Sequence, residues 1–569
     1  MARMSTCRRL LRGAVLLAAW QAAPLALRAQ SATTGAMPVR AIGAAPGANG
    51  PRTRAERSGY RETSTFDDVR VFLDSIVVRG GPLVLDSLGR THEGRLLPLV
   101  IASRPAVHTP AEARALGRPV AWVQANIHAG EVEGKEAMQA LLRELAATTG
   151  TSLLDSIVLV VVPIYNADGN ERFADQTLNR GEQNGPAAVG QRPNAMGLDL
   201  NRDYIKSEAP ETRAFHAAVN AWDPGLFMDL HTTDGSYHGY ALTWSPSLHP
   251  SSPLTPYVRD SLLPAIAARL QQRSGIRTFA YGNFSTGFGR EGATDTIKAG
   301  WFSYDHRPRF GTNYMGLRNR VSILAEAYSH DPFARRVEAM TEFVRAVLSA
   351  FAANGKGIAA RGAAADRALL KGGTFAVQAE LTKQGRMTPV ISEEMLRDSS
   401  GARTEPGVPL GLRRSGRFRT QPMPMHDRFD ATASVALPAG WVVEAQDSAI
   451  VRALRLHDVT VQRLSRAATV GVKGWVIDSV VKALRPFQGH REARLVVHET
   501  PSASTRLAEG SYWVSGRQRM ARIAALLLEP RSDDGLVNWN ALDDRLAVGQ
   551  AYPVRTATAT PAGPLAPVP

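Results

Sequence analysis

Asn126-Ile127-His128-Ala129-Gly130-Glu131-Val132-Glu133-Gly134-Lys135-Glu136 marks the point where an apolar run, residues 120–127, gives way to a helical pattern. A strand-length apolar segment running through a short polar turn into a helix is the opening of a strand–helix unit. The turn itself holds an imidazole, His128, and a carboxylate, Glu131, three residues apart. At the mouth of a buried strand such a pair can grip one divalent cation from two directions. Taken alone the pair has a plainer explanation, a surface histidine and an acid that complements a helix N-terminus. Two ligands also make an incomplete site, so the rest of the chain has to supply a third ligand and a base.

Outward from this turn the same alternation continues. Residues 96–101, 157–164 and 225–230 are further apolar runs of strand length, and residues 321–325 read as the last strand of the series. Residues 133–147, 211–222, 256–272 and 332–351 carry apolar side chains at helical spacing, the last expected to end near Ala352. Strands alternating with helices argue for an α/β domain with a largely parallel or mixed sheet.

Three more segments place chemistry on this frame. Gly197-Leu198-Asp199-Leu200-Asn201-Arg202 is a polar turn. Phe227-Met228-Asp229-Leu230-His231-Thr232 puts a histidine at the C-terminal end of an apolar strand, where open α/β sheets hold ligands. Ser322-Ile323-Leu324-Ala325-Glu326 closes another apolar strand with a glutamate, which could instead be an edge carboxylate paired with Arg318 or Arg320.

In this order, His128 and Glu131, Gly-x-Asp-x-Asn-Arg, His231 and Glu326 resemble the zinc carboxypeptidase family over roughly residues 60–352. The resemblance implies a mixed, mostly parallel eight-stranded sheet flanked by helices, and one Zn2+ per chain held by His128, Glu131 and His231. It makes Glu326 the general base, Asn201 and Arg202 the clamp for a substrate's terminal carboxylate, and Arg192 the cation beside the oxyanion. Asp199 matches the carboxylate that orients the first zinc histidine. Tyr304 and Tyr314 both compete for the tyrosine that caps the substrate; the 22 residues from Tyr304 to Glu326 suit the family better. Two imidazoles and one carboxylate leave a fourth position open, the arrangement of a catalytic zinc. The expected substrates are peptide or protein C-termini. Related zinc folds trim cell-wall stem peptides or deacylate N-acyl amino acids, and a degenerate, non-catalytic binding module is the third alternative. Arg202 is followed by Asp203 rather than a second asparagine, and residues 311–320 replace the segment that sets side-chain preference, so no residue is assigned to specificity.

Composition bounds the rest. At 569 residues, 44% hydrophobic and 21% charged, the chain is globular and too long for one ordinary core. Residues 1–29 read as a signal peptide: Arg3, Arg8, Arg9 and Arg12 precede an apolar stretch too short for a stable membrane span. Its removal takes away five arginines and no acids, lowering the formal charge from +15 to +10, and takes away Cys7, the only cysteine. A mature chain so processed forms no disulfides, and export or periplasmic residence rests on the signal pattern alone. No basic run interleaved with aromatics points to nucleic acid. The expected organisation is a flexible leader at 30–58, a catalytic domain at 59–355, an irregular linker at 356–420, a β-rich accessory domain at 421–555 and a disordered tail at 556–569. Within the accessory region Ser532-Asp533-Asp534-Gly535 reads as a turn.

Overall fold

The computed structural model of the chain describes residues 50–284, 300–401, 408 and 411–568. The expected signal peptide, 1–29, lies outside the described residues, as does the leader up to residue 49.

The eight strands of the main sheet are, in chain order, β1 (Leu83–Arg90), β2 (Leu96–Ala102), β3 (Val120–Ala125), β4 (Val158–Val162), β5 (Leu226–Thr232), β6 (Leu242–Pro246), β7 (Thr278–Ala280) and β8 (Val321–Ala327). Their spatial order is β1-β2-β4-β3-β5-β8-β6-β7. The four central strands run parallel, β2 is antiparallel to both of its neighbours, and β6 is antiparallel to β8. Every residue of β5 and β8 is buried, as expected for parallel strands covered on both faces.

The chain leaves β3 for β4 on one side and later returns to β5 on the other. This change of direction opens a crevice at the C-terminal ends of β3 and β5, the usual ligand position in such sheets. Register brings three strand ends level there. Leu230 of β5 pairs with Ala125 of β3 and with Ala325 of β8, and one residue on His231 lies beside Glu326.

Helix α1 (Glu133–Ala147) seats itself on this edge. Ala137, Leu141 and Leu145 with Met138 and Leu142 form its core-facing stripe, and Glu133 and Glu136 complement its N-terminus. Its start approaches the strands closely: a Cβ on Gly134 would lie 2.9 Å from the Leu230 Cβ and 3.2 Å from the Ala125 Cβ. Helices α2 (Pro210–Trp222) and α3 (Gly311–Leu317) follow, and α4 (Phe333–Leu369) covers the sheet.

Beyond residue 355 the structure departs from the sequence expectation. Helix α4 continues past Ala352 to Leu369, with non-helical dihedrals at Asn354. The stretch expected as irregular linker holds the strand Thr374–Leu381, whose alternation is strand-like in the sequence, and, unforeseen, an antiparallel ribbon of Arg386–Arg397 with Leu412–His426. This ribbon has much exposed surface and carries Pro389 opposite Pro422, so it shows no clean alternation of apolar and polar residues. A seven-stranded C-terminal sheet follows. It takes in Val554–Ala557 and Leu565–Pro567, part of the expected disordered tail, paired with strands Gly440–Val443 and Gln462–Leu464 respectively. One continuous apolar core runs from Val123 and Leu348 of the α/β region to Trp441, Val443 and Leu527 of the C-terminal region. Among the described residues no helix is long and apolar enough to cross a membrane.

Candidate metal centre

His128, Glu131 and His231 meet at the level strand ends. His128 Nδ1 lies 2.9 Å from Glu131 Oε1, and His231 Nδ1 lies 3.0 Å from Glu131 Oε2 and 3.2 Å from His128 Nδ1. The turn after β3 makes this possible, because Asn126 at φ +63° swings the chain so that His128 and Glu131 face back across β5. Asn126 Nδ2 then holds the turn by donating to the carbonyls of Ala129 and Glu131.

Zinc with nitrogen and oxygen ligands at about 2.0–2.1 Å in a tetrahedron needs donor atoms about 3.3 Å apart; the two imidazole nitrogens stand at 3.2 Å, each about 3 Å from one oxygen of the Glu131 carboxylate. Both rings are oriented from behind. His128 Nε2 is 3.0 Å from Asp199 Oδ1. His231 Nε2 is 3.3 Å from Asp229 Oδ2, an approach without the alignment of a full hydrogen bond. Such partners set the tautomer and raise ligand basicity. Asp229 was missing from the sequence reading, although strand periodicity holds the signal: residues two apart on β5 share a face.

Arg180 is the other unanticipated member. Its buried guanidinium donates to Glu131 Oε1 at 3.2 Å, to Asp234 Oδ1 at 3.1 Å and to the carbonyls of Thr232 and Thr233 at 3.2 Å. A long irregular segment brings it there, so no local pattern announces it. Burial opposes ionisation of Glu131, but His128 and Arg180 outweigh it and hold that carboxyl well below the usual range. Glu326 behaves oppositely: burial pushes its carboxyl well above the usual range, with His231 opposing and Glu131 reinforcing the shift. Arg318 and Arg320 do not pair with Glu326. Arg318 donates to Asn220 and to the Tyr314 hydroxyl, and Arg320 to Asp223 and Asp366.

A cavity of about 340 Å³ opens over this centre, and Arg192, Asp199, Asn201, Arg202, Tyr304 and Glu326 are among its walls. Arg192 Nε donates to Asp199 Oδ2 at 2.9 Å, leaving the rest of its guanidinium close to Glu131, with Nη1 3.5 Å from Oε1. Arg202 stacks on Phe310, its guanidinium carbon 4.0 Å from the ring centroid, and donates to the Asn201 carbonyl at 2.9 Å. Asn201 Oδ1 accepts from Gly311 N at 3.0 Å, which leaves Nδ2 as the donating end of the amide.

The tyrosines separate. Tyr304 lines the cavity, and so does Tyr281, its ring 5.6 Å from that of Tyr304. Tyr314 does not belong to the cavity: it is fully buried on α3 with its hydroxyl 3.0 Å from His457 Nδ1. Helix α3 points this side chain into the core against Tyr204 and His216, a placement that spacing to Glu326 could not reveal.

The zinc carboxypeptidase family model matches residues 73–310, ending before Glu326. Carboxypeptidase 2 of Trichophyton tonsurans is 23% identical over 503 residues, covering 82% of this chain and 81% of that protein. Carboxypeptidase D of Mus musculus is 29% identical over 180 residues, 29% of this chain and 12% of that protein. A solved metallo-carboxypeptidase from Burkholderia cenocepacia covers 51% of this chain and 69% of its own at 17% identity, with a TM-score of 0.37. Residues 73–310 thus match a zinc carboxypeptidase domain, and this match with the carboxypeptidase relatives supports a zinc metallocarboxypeptidase hydrolase.

Proposed function

We propose that the chain hydrolyses the last peptide bond of peptides, with Glu326 as general base and His128, Glu131 and His231 as the ligands of a single Zn2+. The observation that carries this reading is the register of β5 and β8, which sets Glu326 beside a metal ligand at the floor of a cavity walled by arginines. Zinc held there would supply Lewis acidity, polarising the scissile carbonyl and making water nucleophilic near neutral pH. The raised proton affinity of Glu326 suits a carboxylate that takes the proton of the attacking water and returns it to the leaving amine. Arg192 puts a fixed positive charge where the oxyanion develops. Arg202, held flat on Phe310, presents a planar fork to the terminal carboxylate, and Asn201 Nδ2 adds a donor. Tyr304 is the residue we assign to covering the bound terminus. The signal-like residues 1–29 support action outside the cytoplasm, testable by N-terminal sequencing of the exported protein.

Metal analysis combined with mass-spectrometric product profiling tests the whole reading. Peptides, muropeptides and N-acyl amino acids are offered to wild type and Glu326→Gln. The expected result is one zinc per chain, release of single C-terminal residues from peptides, and a loss of at least about 10²–10⁴-fold in kcat on Glu326→Gln with zinc retained. An active Glu326→Gln, or products other than single C-terminal residues, would overturn it.

A further inference from the structure

The catalytic cavity is not walled by the α/β region alone. Phe487, in the C-terminal region, is one of its lining residues. It sits at the tip of an antiparallel ribbon formed by Trp475–Lys482 and Ala493–Glu499. The tip is a two-residue turn: His490 N donates to Phe487 O at 3.0 Å, Phe487 N to His490 O at 2.7 Å, and both central residues have positive φ, +50° at Gln488 and +82° at Gly489.

That turn favours asparagine, aspartate or glycine at its first central position, since only these enter the left-handed region cheaply. Gln488 stands there instead. Its longer side chain accepts a hydrogen bond at 2.7 Å from the backbone N–H of Asp199, 289 residues away. Asp199 is the hub of the centre, joined to His128 Nε2, Arg192 Nε and the Asn201 N–H. An uncommon residue in a strained conformation, with its polar end on that hub, suggests a functional constraint.

Further clasps seat the tip. His490 Nε2 is 2.8 Å from Glu208 Oε1, and Glu492 pairs with Arg309. The Arg309 guanidinium stands 5.6 Å from the Phe487 ring and 4.4 Å from that of Trp539, while its backbone N–H and Nε both donate to Asp534. The 532–535 turn is therefore the seat of Arg309. Arg309 and Phe310 are consecutive, and Phe310 is the platform under the Arg202 clamp. Phe487 thus faces the cavity from the side of the carboxylate clamp.

We propose that the ribbon tip of the C-terminal region completes the substrate cavity, with Phe487 as a specificity-determining residue for the terminal side chain and Gln488 as a positioning residue for Asp199. This rests on the carboxypeptidase reading. In full-length protein, Phe487→Ala enlarges the pocket, and kcat/KM for a peptide ending in a large aromatic residue rises about tenfold relative to one ending in alanine. Gln488→Asn keeps a residue that suits the turn but shortens the side chain by one methylene. It leaves zinc content at the wild-type value and lowers kcat at least about threefold, because the Asp199 N–H loses its acceptor.

Steady-state kinetics on a peptide series varied at the last residue, with zinc content and thermal unfolding of each variant, reads both effects. A Phe487→Ala profile parallel to wild type overturns the specificity role, and wild-type kcat in Gln488→Asn overturns the positioning role. A wild-type protein that releases no terminal residue fails the carboxypeptidase reading itself, a different signature from parallel profiles on an active enzyme.

Discussion

Two pairs of buried histidines meet opposite fates. His231 and His128 lie with ring centroids 4.9 Å apart among Glu131, Asp199 and Asp229. His216 and His457 lie 4.7 Å apart where α2 meets the C-terminal region, with Arg318 nearby. Burial lowers the proton affinity of all such rings. At His231 the carboxylate of Asp229, with Glu131, reverses this and raises it well above the usual value. At His457 only the Ile205 carbonyl opposes burial, and its value falls to about 4. The same side chain gains or loses proton affinity according to which charges the fold delivers, not how deeply it is buried.

The sharpest way to break the comparison is to remove the centre itself. His231→Ala is expected to abolish tight zinc binding and activity together, read by metal analysis and peptide hydrolysis, while the equivalent change at His457 leaves bound zinc in the folded fraction. A smaller effect is expected from Asp229→Asn, which keeps shape but removes the charge behind His231. Zinc affinity should fall about 10–100-fold, measured by competition with a chelator. Unchanged affinity would show that Asp229 does not support the ligand.

Acidification probes the neutral buried rings, His457 among them. His457, His238 and His249 have native values of about 4, 3 and 3, below the ordinary 6.5, so the unfolded chain binds more protons at mildly acid pH. Their contribution to stability is complete above pH 6.5 and is lost as pH falls towards the native values. Each such ring costs roughly 1 kcal/mol per pH unit in that window. Denaturant unfolding at pH 7.5 and 5.5 should show the loss, and a His457→Gln variant a shallower one. The smallest effect separates the tyrosines. Tyr314→Phe should cost about 1–2 kcal/mol by leaving His457 Nδ1 without its partner, with kcat/KM unchanged, whereas Tyr304→Phe should raise KM with little change in stability.

These contrasts also show what could be read before the fold was known. The residues of β3, β5 and β8 are continuous apolar runs, and their terminal His231 and Glu326 stand out because charge at the end of such a run needs a reason. Asp199 was legible through its motif. Spacing to Glu326 favoured Tyr304 over Tyr314 but did not show Tyr314 to be core, because distance along the chain says nothing about which way a helix turns a side chain. The Arg386–Arg397 and Leu412–His426 ribbon left no periodic trace, since much of its surface stays exposed.

The sequence by itself determined the alternation of strands and helices and the residue types of the centre, because both are local: apolar periodicity and short-range spacing. Only the tertiary structure decided that Asp229 approaches His231 and Arg180 bonds Glu131, that Tyr314 is core, and that Gln488 reaches Asp199. Except for Asp229, whose partner is on its own strand, these relations join segments far apart in the chain. They depend on strand order, register and the seating of the C-terminal ribbon, and no local pattern encodes them.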